Sequence, residues 1–202
     1  MWSVEDSIEL AREYVGQMDD RWAHVSTVGR VVQELLVSGM NEVTEDVVCA
    51  AWLHDIGYSP AVVVTGFHPL DGAKFLQSAG APSAVVALVG HHTGAAYEAE
   101  ERGLADEWRA LPCPDADSLD ILTMVDLAIG PSGEPELDVD RIAGILSRYG
   151  EGDPVHRAVA KSRDLLLASS ARGKARLGLP DEWPVVAGQG VGDAESNRGV
   201  QF

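Results

Sequence analysis

The chain has 202 residues, 46% hydrophobic and 23% charged, a balance that suits one compact domain with a core of its own. Its 15 basic and 32 acidic residues leave a formal net charge of −17, which repels long nucleic acids. No run approaches the roughly 18–20 apolar residues that cross a bilayer, the start MWSVEDSIEL is acidic where a signal peptide is basic, and Cys49 and Cys113 form no CxxC pair. A cytoplasmic protein without membrane contact or disulfides is expected.

Ser3 and Asp6 have the spacing of a capping box, and the apolar stripe Ile8, Leu10, Ala11, Tyr14 and Val15 predicts a first helix. A second is predicted from about Trp22 to Val37, with Val25, Val28, Val32, Leu35 and Leu36 inward and Ser38-Gly39 at its end. Thr44 reads as the N-cap of a third, with Glu45 and Asp46 favoured by the helix dipole and Gly57 as the stop. Further helices are predicted near 68–79, 82–92, 94–102, 117–129, 138–149 and 154–172, with Pro82 in a first turn and Gly80 and Gly90 at boundaries. Ala61-Val62-Val63-Val64 is the one β-branched run, hemmed in by Pro60 and Gly66, so the fold reads as all-α, a single-domain helical bundle. Residues 1–179 are expected to form the domain. Residues 180–202, rich in Gly, Pro and polar side chains, are expected to be a flexible tail or a surface strap.

Five of the six histidines fall between 24 and 92, at or beside predicted helix ends: His24, His54, His68, His91 and His92. The stretch AWLHDIGY sets His54 and Asp55 directly after a buried-looking run, where both are costly to bury without a partner. Asp126 sits inside the apolar run ILTMVDLAIG, again unusual for a lone carboxylate. Each residue alone reads more simply as surface, core or cap, and His156 in the last helix is left in that class. Together they form a ligand set for divalent Fe, Mn, Co, Ni or Zn, with carboxylates able to bridge two ions. Such a site makes one cavity of an acidic protein locally positive, which points to a small anionic substrate.

The order His24, His54-Asp55, Asp126 resembles the H…HD…D signature of the HD-domain superfamily of metal-dependent phosphohydrolases. The resemblance covers roughly residues 18 to 130. It is sharpened by HPLDGAKFL at His68 and by LVGHHTG, similar to the His-His element of binuclear members. It implies a helical bundle of the HD type in which His24, His54, Asp55 and Asp126 hold a first metal. Asp55 would bridge to a second metal held by His68 and His91, and His92 would be a further ligand or a group beside the substrate. The implied reaction is hydrolysis of a small phosphomonoester or phosphodiester, nucleotides among the candidates, by metal-activated water. Arg21 and Lys74 are the candidate cations for the phosphoryl oxygens, and His92 is the candidate leaving-group acid.

Two departures narrow the resemblance. HHTGAAYEAEERG follows the histidine pair where the GYP-bearing members have HHExxDGxGYP. HDIGYSPAVVVTG lacks the acidic segment of the deoxynucleotide monophosphatases. A rival reading is a mixed-valence di-iron oxygenase that cleaves C–C or C–P bonds with O₂, since its ligand types are the same. A third is a binding module that keeps the site as a sensor. Segments 58–66 and 94–116 are expected to wall the pocket.

Overall fold

A computed structural model describes residues 2–184, so most of the expected tail, from 185 on, lies outside the described residues. The architecture is all-α. Helices α1 (Val4–Val15), α2 (Asp19–Val37), α3 (Glu45–Leu53), α4 (His68–Ser78), α5 (Ser83–His91) and α8 (Ala116–Leu127) enclose the main core. Short α6 (Ala95–Glu101) and α7 (Ala105–Arg109) follow α5, and α9 (Asp138–Arg148) and α10 (Pro154–Leu177) pack against α8. Helix α7 was not anticipated, and α10 runs past its expected end near 172. Among the described residues no helix is long and apolar enough to cross a membrane.

Local chemistry accounts for the ends that matter. Ser3 accepts from the Asp6 N–H and Asp6 accepts from the Ser3 N–H, completing the capping box of α1. Thr44 caps α3 by accepting from Val47 N. Every α3 residue from Val47 to Leu53 is buried. Each large apolar side chain there contributes about 1.5–3 kcal/mol, so the core fixes how α3 is seated and delivers His54 and Asp55 into the interior at its end. The valine-rich run 61–64 forms no strand. The buried Asp71 carboxylate of α4 instead gathers the backbone N–H groups of Val64, Thr65 and Gly66, each at 3.0 Å, and curls the segment into turns.

Two glycines permit approaches that a side chain would block. A Cβ on Gly57 would lie 2.0 Å from the His68 carbonyl oxygen, so the turn after Asp55 sits against the first turn of α4. A Cβ on Gly173 would lie 2.8 Å from the Asp120 carbonyl oxygen, which brings α10 against α8. A smaller apolar cluster of Leu127, Ile142, Val159 and Leu166 joins α8, α9 and α10 apart from the main core. Trp183 is only 2% exposed and belongs to the main core, so the chain stays packed past the expected boundary at 179.

Candidate metal centre

Four elements converge on one buried point. His24 comes from the second turn of α2, His54 and Asp55 from the end of α3, His68 from the first residue of α4, and Asp126 from the last turn of α8. His92 joins them from the short 3₁₀ turn that follows α5. Their donor atoms fall into two groups, His24, His54 and Asp126 in one and Asp55, His68 and His92 in the other.

In the first group His24 Nε2 lies 3.0 Å from Asp126 Oδ1 and 3.2 Å from His54 Nε2. The other nitrogen of each ring is committed to the backbone: His24 Nδ1 donates to the Gly130 carbonyl at 3.1 Å and His54 Nδ1 to Ala51 at 2.9 Å. Carbonyls only accept, so both Nδ1 atoms carry a proton, and the Nε2 atoms, which in a neutral ring hold the lone pair, are the ones turned toward each other. Burial pushes His54 below the ordinary imidazole range, which disfavours a second proton there. Two lone pairs and a carboxylate oxygen facing one another at this range suit a cation, and the residues present fit a divalent ion.

The second group repeats the pattern. His68 Nε2 lies 3.1 Å from His92 Nε2 and 3.3 Å from Asp55 Oδ1, and His92 Nδ1 donates to Val89 at 2.7 Å. Burial pushes His68 well below its usual value. Asp55 joins the groups. Its Oδ1 faces His68 and His92, while its Oδ2 lies 3.5 Å from His54 Nε2 and accepts from Arg21 Nη1 at 2.5 Å. Burial opposes charge on Asp55, but Arg21 and the surrounding imidazoles outweigh it and hold the carboxyl well below the usual range.

Thr93 is held at φ 41°, in the left-handed region that a β-branched residue rarely adopts. That conformation aims its hydroxyl at Asp126 Oδ2, to which it donates, turning Oδ1 toward the imidazoles. Strain of this kind persists where the surroundings over-determine it. Tyr58, directly after HDIG, stacks on His68 with centroids 4.0 Å apart, and the Arg21 guanidinium lies 4.0 Å from the centre of its ring. Burial and Asp55 raise its pKa, so the phenol stays protonated.

Two sequence expectations do not match this geometry. His91, expected on the second ion, ends α5 with Nδ1 donating to Ala87 at 2.9 Å and its ring tilted against Trp108 at 4.5 Å; the backbone break at Thr93 gives the position to His92 instead. Lys74 points to the exposed side of α4 and pairs with Glu107 of α7, away from the pocket. Arg21 does line the pocket, but through its bond to Asp55. Alanine at His92 is therefore expected to lower bound metal, roughly 10–100-fold in affinity, whereas alanine at His91 leaves metal content unchanged. Elemental analysis of both variants decides the assignment, and the opposite result would return His91 to the site.

A pocket of about 120 Å³ opens over the cluster. From the expected walls it takes Tyr58, Ala95 and Glu98. Further lining comes from α9 and α10, with Arg141, Ile145 and Arg148 on the first and Tyr149 directly after it. Sequence reading missed that lining, together with Thr93, although Thr93 lies within the quoted LVGHHTG.

Comparison with known proteins places this arrangement. Neither curated proteins nor solved structures return a match. The family model of the HD domain matches residues 21–125, more than half of the chain, ending one residue before Asp126. The chain belongs to the HD-domain family, whose members are in general metal-dependent phosphohydrolases.

Proposed function

We propose that the protein is a phosphohydrolase with a binuclear metal centre, acting on a small phosphomonoester or phosphodiester. The carrying observation is Asp55, whose two oxygens face different ligand groups, Oδ1 toward His68 at 3.3 Å and Oδ2 toward His54 at 3.5 Å. In this reading His24, His54 and Asp126 would hold one divalent ion and His68, His92 and Asp55 the other, with the second oxygen of Asp55 turned toward the first group. Divalent ions there supply Lewis acidity and lower the pKa of water toward neutrality.

The chain's own residues prepare that chemistry. Arg21 secures Asp55, and Thr93 orients Asp126. Imidazoles already neutral at pH 7 accept a metal without first losing a proton. Tyr58 offers an O–H to the pocket. The pocket's space of about 120 Å³, open on one side, is near the roughly 150 Å³ that admits a benzene-sized molecule, so it takes the reacting phosphate and a short linker. A nucleoside would extend outside it.

Metal analysis coupled to a screen of phosphate esters and sugar phosphates tests the proposal. Two equivalents of transition metal and metal-dependent phosphate release are expected. Substrate-dependent O₂ uptake by iron-loaded protein, with no phosphate released from any ester, would replace this reading with the oxygenase.

A further inference from the structure

The pocket contains a cation that nothing in the cluster uses. Arg141 is only 8% exposed, and its Nε and Nη1 atoms are buried without a hydrogen-bond partner among the described residues. It also lines the pocket over the metal ligands. A buried guanidinium left unpaired is costly, because desolvation is not offset. Glu136 is close enough to feel its charge, yet the two form no ion pair, and Glu136 Oε2 is itself buried and unpartnered.

The other arginines of the pocket are already engaged. Arg21 is bonded to Asp55, and Arg148, exposed, donates from Nε to the Gly144 carbonyl. Arg141 is also held in place. Its helix, α9, is fixed at its first residue, where buried Lys174 donates to Asp138 Oδ2 at 2.9 Å and Ser170 donates to the same oxygen at 2.8 Å. Helical spacing then sets Arg141, Ile145 and Arg148 on one face, toward the pocket. Residues 138–177 lie beyond the matched span 21–125.

Building on the reading of the cluster as a phosphate-directed metal centre, we propose that Arg141 is a second anion-binding site in the same pocket. It receives a carboxylate or phosphate at the far end of the substrate while the reacting phosphoryl group sits over the metals. The ligand class is a small two-ended anion, a phosphorylated carboxylic acid or a bisphosphate with a linker of few atoms, short enough for the pocket. Arg141 sets specificity and takes no part in bond breaking.

Calorimetry on the metal-loaded protein with two inert probes tests this. Phosphonoacetate has an anion at each end, and methylphosphonate has one. The wild type is expected to bind phosphonoacetate roughly tenfold or more tightly than methylphosphonate, the scale of one charge-assisted contact. Arg141→Gln closes that gap and Arg141→Lys keeps part of it. Equal affinities in the wild type, or a gap that survives in Arg141→Gln through metal chelation alone, overturn the proposal. Melting curves supply a second readout. Arg141→Met is expected to melt above the wild type, because an unpaired buried charge has been removed. A lower melting temperature assigns Arg141 to the scaffold and overturns the site. Neither probe is an ester, so a protein that turns over no phosphate ester but shows the gap loses the proposed reaction and keeps this site.

Discussion

Replacing Asp55 with alanine is expected to reduce phosphate release by about 10³-fold or more, the several kcal/mol that correctly held metal ions contribute to a phosphoryl transition state. The reason is its position. One of its oxygens addresses His68 and His92, the other His54 and Arg21, so a single truncation takes a ligand from both groups. The metal-free variant should nevertheless fold, because Arg21 is 32% exposed and can reach water once its partner is gone. Metal content and activity should fall together while the melting curve of the apo protein stays near the wild type. Retention of both metals and full activity in Asp55→Ala would remove the basis of the binuclear reading.

Gly57→Ala is the corresponding experiment on the scaffold. The new methyl would meet the His68 carbonyl oxygen at 2.0 Å and the Gly72 nitrogen at 2.8 Å, both backbone atoms that cannot swing aside. Either the turn after Asp55 or the start of α4 must move. Overpacking of this kind costs about 3 kcal/mol, which lowers the melting temperature by roughly 10 °C in a domain of this size. Since His68 opens α4, the shift should also withdraw its imidazole from Asp55 and weaken the second ion selectively. Gly150→Ala, where a Cβ meets nothing within 4 Å, is the matched control and should be silent in both assays. A Gly57→Ala protein with an unchanged melting temperature would mean that the turn and α4 are not in the close contact described.

What could be seen in the sequence follows from what sets each position. His24, His54, Asp55, His68 and Asp126 stand on long periodic helices or at their ends, where apolar neighbours already dictate which side faces inward, and the structure brings all five together. The choice between His91 and His92 had no such support. It depends on a single left-handed residue, Thr93, and no periodicity announces a break in φ after a helix end. Lys74 failed for a related reason. It lies on the exposed side of α4 and pairs with Glu107, on a helix too short to read as one. The wall formed by α9 was hidden by its own regularity. Its apolar positions Ile142, Ile145 and Leu146 satisfy a packing stripe completely, so an arginine on that helix reads as solvated surface.

The small cluster of Leu127, Ile142, Val159 and Leu166 has a consequence of its own, because it seats α9 and the first part of α10 on α8 beside the main core, which α10 joins at Leu177. The proposed ion-holding part and the proposed ligand-contacting wall thus rest largely on different sets of contacts. On the proposed reading, substitutions confined to the α9 wall should alter ligand preference while leaving the ion-holding side intact.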